Sequence, residues 1–155
     1  MGHRQRGISL IEVMVTLSVV AILAAVAAPS FQSARDNSQM KGGTTALAAD
    51  IEWARSQAIA DATPTTVYFN PGANWCYGID NDGACDCTNP ASCSLKVVDN
   101  QDFNLLTLNN DTFGGSVTFG VDGVPDVNGN TGFAVNGQNS TVAVNPIGRV
   151  TVTLP

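Results

Sequence analysis

Histidine is almost missing from this 155-residue chain, and its single copy, His3, lies close to the N-terminus. The rest of the chain therefore has no imidazole to activate a serine or cysteine nucleophile or to bind a metal ion. The sequence also lacks a glycine-rich phosphate-binding loop and a zinc-binding pattern. No motif marks a pair of carboxylates for acid–base chemistry. We therefore expect a non-catalytic protein that uses no cofactor and no metal.

Positive charge is scarce as well. The chain has 7 Lys and Arg against 13 Asp and Glu, which gives a formal net charge of −6. Arg4 and Arg6 precede Gly7, so the remaining chain has 5 basic and 13 acidic residues and a net charge of 5 − 13 = −8. An acidic surface has no general attraction for nucleic acids or anionic lipid headgroups. Binding of a polyanion would have to be local.

Charged side chains are absent altogether from Val13 to Ala34. About 20 apolar residues can cross a bilayer, so the segment could be a membrane anchor, or a secretory signal cleaved after Ala25-Val26-Ala27. Glu12 argues against both, because a carboxylate in an apolar helix is costly and usually has a partner. Cleavage after Gly7 would supply that partner: the new amine of Ile8 could pair with Glu12 of a neighbouring subunit.

Apolar periodicity predicts that the helix continues to about Ala60, where Thr63-Pro64 ends it. Gly42-Gly43 would weaken this helix locally, either as a tolerated soft spot or as a functional bend. Charged residues in its second half, namely Asp50, Glu52 and Arg55, are expected to face away from the apolar stripe. That stripe consists of Leu47, Ile51, Ala54, Ala58 and Ile59.

Beyond the helix the pattern changes to period two, with turn formers between short segments. This predicts an antiparallel sheet or sandwich packed against the helix, an α+β fold. The expected strands are residues 66–69, 75–79, 95–98, 105–108, 116–121, 132–135, 141–144 and 149–154.

Four cysteines, Cys76, Cys85, Cys87 and Cys93, lie close together in the sequence. An even number in a chain with an export-type N-terminus indicates two disulfides formed in an oxidising compartment. A bond between Cys85 and Cys87 is sterically poor, so Cys76 and Cys93 are each expected to bond one of these two. The spacing does not suit zinc. The loop is either a simple staple or a rigid contact surface.

Two acidic loops, residues 80–86 and 126–130, offer oxygen ligands that calcium could use. Neither has the spacing of an EF-hand, and Asp-Gly and Asn-Gly are ordinary turn residues. We expect both loops to be turns.

The segment Arg6-Gly7-Ile8-Ser9-Leu10-Ile11-Glu12-Val13 resembles the N-terminal signal of type IV pilins and type II secretion pseudopilins. In that family a basic leader ends in glycine and a glutamate stands at mature position five, and Pro29 matches a proline that commonly kinks the helix. The stretches Ala54–Ile59, Phe119–Pro125 and Gly148–Val150 resemble the GspH/FimT branch.

This resemblance implies a minor pilin with three parts: a leader (residues 1–7), a transmembrane and filament-core segment (8–34) and a globular head (35–155). It implies that a prepilin peptidase cleaves between Gly7 and Ile8, that Ile8 is N-methylated, and that Glu12 and Pro29 serve assembly. The implied partners are inner-membrane lipid, the assembly platform and other major and minor pilins. The implied location is the inner membrane, crossed once, and then the periplasm or an extracellular pilus.

Two alternative functions remain open at this point. One is a type II secretion pseudopilin of the GspH type. The other is DNA uptake, because some FimT-like pilins serve this function. Those pilins carry a basic C-terminal motif, Gly-Arg-x-Arg. Here Gly148-Arg149-Val150-Thr151 keeps only the first arginine, and one arginine releases about one counterion. Arg149 is therefore a possible DNA contact but an ordinary strand residue by default.

Overall fold

The computed structural model describes residues 9–109 and 111–155, without the side chains of residues 26–29. The chain forms two compact units, Met1–Arg35 and Asp36–Pro155. The second unit, Asp36–Pro155, is the head.

Helix α1 runs from Leu10 to Ala60. At its end Ala62 adopts a left-handed conformation (φ 50°), and the amide of Thr63 donates to the carbonyl of Ala58 at 3.3 Å. This is the backbone pattern of a Schellman cap, in which the last carbonyls of a helix find donors. Pro64 follows and cannot continue the helix. The predicted end of the helix is confirmed.

The head contains two antiparallel sheets. The strands are β1 Thr65–Asn70, β2 Cys76–Asp80, β3 Lys96–Asp99, β4 Thr107–Asn109, β5 Ser116–Phe119, β6 Gly129–Val135, β7 Gln138–Asn139, β8 Thr141–Val144 and β9 Val150–Thr153. The first sheet has the strand order β3-β2-β1-β5, and the second has the order β4-β6-β8-β9, with β7 paired to β6. Strand β1 pairs with both β2 and β5, with Val67 opposite Ile79 on one side and Val117 on the other.

The core of the head lies between one face of α1 and the inner faces of the sheets. Leu47, Ile51, Ala54 and Ala58 are fully buried on the helix side. Trp75 is buried in the same core, and its indole N–H donates to the carbonyl of Leu106 at 2.9 Å. The predicted α+β class and the helical stripe are thus confirmed, except that Ile59 is 49% exposed and does not belong to the stripe.

Gly42 and Gly43 have a packing role that neither sequence interpretation foresaw. A Cβ on Gly42 would lie 3.1 Å from the ring of Phe103, and one on Gly43 would lie 2.5 Å from Cδ1 of Leu106. Any larger residue at position 43 would have to displace the Leu106 side chain. The helix is continuous through both positions.

Candidate functional site

The N-terminal unit presents an apolar helix surface without a cover of its own. Every residue from Leu10 to Ala25 is exposed, and Leu10 and Leu23 are 78% and 64% exposed. By length and composition α1 is able to cross a membrane, with a mean hydropathy of 2.5 over its most apolar stretch. A helix that is apolar on all sides requires either lipid or other helices around it.

Glu12 lies in the first turn of α1 and is the one charged side chain between Leu10 and Ala34. The nearby hydroxyls are satisfied inside the helix, since Thr16 donates to the carbonyl of Val13 at 2.9 Å and Ser18 to that of Met14 at 2.8 Å. Within the described residues the Glu12 carboxylate has neither a hydrogen bond nor an ion pair. It is thus a single carboxylate on an apolar helix surface.

Three other residues with predicted roles are described only in part or not at all. Gly7 and Ile8, the predicted cleavage site, lie outside the described residues. Pro29 lies within α1, and its side chain is likewise outside the description. Their assigned roles in processing and assembly therefore remain predictions.

The four cysteines form two disulfides, Cys76–Cys87 and Cys85–Cys93. The prediction that each outer cysteine bonds one of the central pair is confirmed. Cys76–Cys87 attaches the loop after β2 to that strand, and Cys85–Cys93 closes the loop on itself. Gly78 of β2 makes room for the loop sulfurs. A Cβ at position 78 would lie 2.8 Å from Sγ of Cys93 and would also collide with Sγ of Cys85.

Asp80 organises the same loop from inside. Its carboxylate accepts hydrogen bonds from the Asp82 amide at 2.6 Å and from the Ser94 amide and hydroxyl at 3.1 and 2.9 Å. Burial alone would raise the pKa of Asp80, but these hydrogen bonds hold the pKa below its ordinary value. The exposed Asp86 also has a lowered pKa, because the hydroxyl and amide of Thr88 donate to it.

These contacts favour the turn interpretation of the acidic loops over calcium binding. In the second loop, Oδ1 of Asp126 accepts a hydrogen bond from the Thr118 amide at 2.8 Å. Across residues 9–109 and 111–155, no three potential metal-binding side chains come together.

Arg55 joins the three stretches that resemble the GspH/FimT branch. Its Nε donates to the carbonyl of Gly123 at 2.9 Å, and its Nη2 donates to the carbonyl of Ile147 at 3.3 Å. Gly123 and Gly148 both have positive φ, at 73° and 78°, and a Cβ on Gly148 would lie 2.8 Å from Nε of Arg55. We call this arrangement the Arg55 clasp: Arg55 with the turns 120–123 and 145–148.

The expectation that Arg55 and Asp50 face away from the apolar stripe, which packs on the head, is wrong for both residues, because their side chains bond to the head. The Asp50 carboxylate is buried, where it accepts a hydrogen bond from the Tyr77 hydroxyl at 2.7 Å and pairs with Nζ of Lys96 at 2.6 Å. Burial raises the pKa of Tyr77 well above its ordinary value, and the charge of Asp50 raises it further. Tyr77 therefore stays a protonated donor.

Both errors have a signal in the sequence. Asp50 lies three residues after Leu47 and four before Ala54, so it borders the buried stripe, and Arg55 lies four residues after Ile51. A charged side chain at the edge of the buried stripe can contact either the head or the solvent.

Arg149 is exposed and directly precedes β9. Its backbone is tied into the 145–148 turn, where its amide donates to Oδ1 of Asn145 at 2.8 Å. In the part of the chain that the structure describes, its guanidinium has no hydrogen-bond or ion-pair partner. Of the other cations of the head, Lys96 and Arg55 are already engaged and Lys41 is exposed. Among the described residues no basic cluster supports the possible DNA contact, which remains a prediction.

A long N-terminal helix continuing into an antiparallel α+β head defines the pilin-like class of proteins. The sequence model described as "Type II transport protein GspH" matches residues 43–148, more than half of the chain, so the chain belongs to the GspH family. The model described as "Prokaryotic N-terminal methylation motif" matches residues 2–28. The chain is therefore a pilin or pseudopilin subunit, and this N-terminus is of the membrane-anchoring type.

Individual relatives agree with this assignment. A curated relative, "Type II secretion system protein H" of Xanthomonas campestris pv. campestris, is 30% identical over 66 residues, which are 43% of this chain and 39% of the relative. Two crystal structures of the type IV minor pilin FimU of Pseudomonas aeruginosa share the fold. The first structure has a TM-score of 0.59 and 17% sequence identity, and the match covers 76% of this chain and 90% of FimU. The second has a TM-score of 0.55 and 18% identity, and the match covers 73% of this chain and 91% of FimU.

Proposed function

We propose that this chain is a non-catalytic minor subunit of a type IV pilus, held in the inner membrane by α1 and then incorporated into the filament. The observation that carries the proposal is the apolar surface from Leu10 to Ala25, which is exposed on all sides and contains the single carboxylate of Glu12. Such a helix is suited to a subunit that is first held in lipid and later packs against other helices.

Processing is the step that would give Glu12 its partner. A prepilin peptidase would cut between Gly7 and Ile8, and the freed and methylated amine of Ile8 would remain cationic. Inside an apolar bundle this amine and the Glu12 carboxylate of a neighbouring subunit would attract each other strongly, because little water screens them. The match of residues 2–28 to the N-terminal methylation motif supports this assignment.

The processing step is tested by intact-mass measurement of the chain extracted from membranes. We expect an N-terminus at Ile8 carrying one methyl group, together with four oxidised cysteines. An unprocessed N-terminus, or cleavage after Ala27, would contradict the proposal. A Gly7→Arg variant is the control, because it should retain its leader while it still reaches the membrane.

A type II secretion pseudopilin is the second candidate, because the matching family model and the curated relative both carry the name of that system. The two candidates differ in the phenotype of a deletion. Loss of surface pili with normal protein secretion supports the pilus subunit, whereas loss of secretion with normal pili supports the pseudopilin.

A further inference from the structure

The exposed apolar side chains of the head are unevenly distributed. The described part of the head exposes seven large apolar side chains, and four of them lie on the segments that Arg55 joins. Ile147 is 69% exposed, which is more than any other large apolar residue of the head. The four residues are Ile59, Val121, Val124 and Ile147.

The clasp brings these four residues into one neighbourhood. Ile59 covers Gly123, since a Cβ on that glycine would lie 2.6 Å from Cδ1 of Ile59. Gly148 packs directly against the carbonyl of Gly123, so the turn that carries Val121 lies against the turn that carries Ile147. Beside them is a groove of about 400 Å³ lined by Glu52, Arg55, Ser56 and Ile59. An exposed apolar concentration of this kind commonly marks a protein contact.

The charges around this surface are acidic apart from the exposed Arg149, which follows the 145–148 turn. Glu52 is exposed and has no hydrogen-bond or ion-pair partner among the described residues, and Asp122 is also exposed. The positive charge of Arg55 is already directed at two backbone carbonyls. A complementary partner therefore has an apolar centre with lysine or arginine at its rim.

A second copy of this chain is poorly suited to that role. The head contains 12 acidic residues and four basic ones, a net charge of 4 − 12 = −8. Lys96 pairs with Asp50 and Arg55 holds the clasp, so a second head could offer Lys41 and Arg149 alone. Like charges brought together at an interface oppose association.

We infer that the surface formed by Ile59, Val121, Val124 and Ile147, with Glu52 and Asp122 at its rim, binds the head of a different filament subunit that presents apolar side chains bordered by lysine or arginine. The inference rests on the proposed function, which places other subunits beside this one. Arg55 acts as a positioning residue that keeps the two turns together.

Site-specific photocrosslinking of the full-length chain in its own cells tests this inference. The photoreactive residue is introduced as Ile147→p-benzoylphenylalanine, which the high exposure of Ile147 should tolerate, and the adduct is identified by mass spectrometry. We expect an adduct with a different protein that carries a prepilin-type N-terminus, joined at a segment that contains lysine or arginine. Adding Glu52→Lys should lower the adduct yield roughly fivefold, because like charges then face each other.

The matched control is Asp102→Lys, which makes the same charge change at an exposed residue of another loop and should leave the adduct yield unchanged. An adduct with a second copy of this chain, no adduct, or a yield that Glu52→Lys does not change would each overturn the inference. If one of those results is obtained while the chain still enters sheared fibres, the proposed function remains intact. Absence of the unmodified chain from both fibres and secretion complexes would overturn both proposals.

Discussion

Up to Arg35, the described side chains of helix α1 are exposed on every side, whereas beyond Asp36 the same helix buries one stripe and fixes its polar residues to the head. In the first stretch Leu10 and Leu23 are 78% and 64% exposed; in the second Leu47 and Ile51 are fully buried. The secondary structure is identical, but the source of stability is different. The second stretch is completed by its own chain, while the first depends on lipid or on other subunits.

The polar contacts sharpen this contrast. Four side chains of the second stretch reach the sheets or their connecting turns, at intervals of five to eight residues. Asp36 accepts a hydrogen bond from Asn136 at 2.6 Å, and Thr44 shares one with Ser140 at 2.6 Å. Asp50 and Arg55 follow with the contacts described above. In the first stretch the carboxylate of Glu12 has no hydrogen-bond or ion-pair partner in the described part of the chain.

The largest expected effect is a loss of folding stability, tested by substituting one leucine from each stretch. Leu47→Ala should lower the free energy of unfolding of the head by about 3 kcal/mol, because it leaves a cavity in a fully packed core. Leu17→Ala, in the exposed stretch, should leave it unchanged. Thermal denaturation of the full chain in detergent, followed by near-ultraviolet circular dichroism, measures both. Equal losses of stability would show that the two stretches are not distinct.

The buried network gives the next largest effect. Asp50→Ala should cost about 2 kcal/mol, because it removes the acceptor of the Tyr77 hydroxyl and the partner of Lys96. The neighbouring Glu52→Ala is the control and should change the free energy of unfolding by less than about 0.5 kcal/mol. Urea denaturation distinguishes the two variants. A stable Asp50→Ala protein would mean that the network is not needed for folding.

Arg55→Ala should cost about 1.5 kcal/mol, since two backbone carbonyls lose a charged donor. Hydrogen exchange should become faster in the turns 120–123 and 145–148 and remain unchanged in β2. Arg55→Lys should restore this protection only in part, because an ammonium group cannot reproduce the forked geometry of guanidinium. Arg149→Ala removes an exposed arginine whose guanidinium has no hydrogen-bond or ion-pair partner among the described residues, and it should have no effect. Equal effects of the two alanine variants would contradict the clasp.

The smallest effect is acid sensitivity of the head. The pKa of Asp80 is lowered in the folded state, so its stabilising contribution is complete above the unfolded pKa of about 4 and is lost as the pH falls through the folded value. Melting temperatures measured between neutral pH and pH ~2 should fall less steeply for Asp80→Asn than for the native chain. Identical slopes would show that Asp80 does not contribute to the pH dependence of the melting temperature.

Sequence reasoning succeeded where a local rule decides the outcome. The helix end follows from Thr63-Pro64. The steric strain of joining Cys85 to Cys87 excludes one of the three cysteine pairings and leaves the choice between the other two open. The period-two pattern located eight of the nine strands, and missed the two-residue β7, which is too short to show a period. Strand β6 begins at Gly129, before the predicted residue 132, because it gains a partner in β8.

Sequence reasoning failed where a residue acts through tertiary contact. The charges of Asp50 and Arg55 suggested solvent, yet their partners lie 27 and 68 residues away in the sequence, at Tyr77 and Gly123. Gly42-Gly43 suggested a soft spot, yet it admits Phe103 and Leu106. The partner of Glu12 was proposed from sequence alone, and its test lies in the assembled filament.

The most direct test of the account is therefore the amount of Glu12→Leu protein in sheared fibres, relative to the amount in the membrane. Ser18→Leu is the control, because it makes the same helix more apolar without removing a charge, and its hydroxyl bonds only within the helix. The account predicts that both variants reach the membrane, that Ser18→Leu enters fibres normally, and that Glu12→Leu is at least about tenfold depleted there, as expected for an unpaired charge in an apolar bundle. Normal entry of Glu12→Leu into fibres would contradict it.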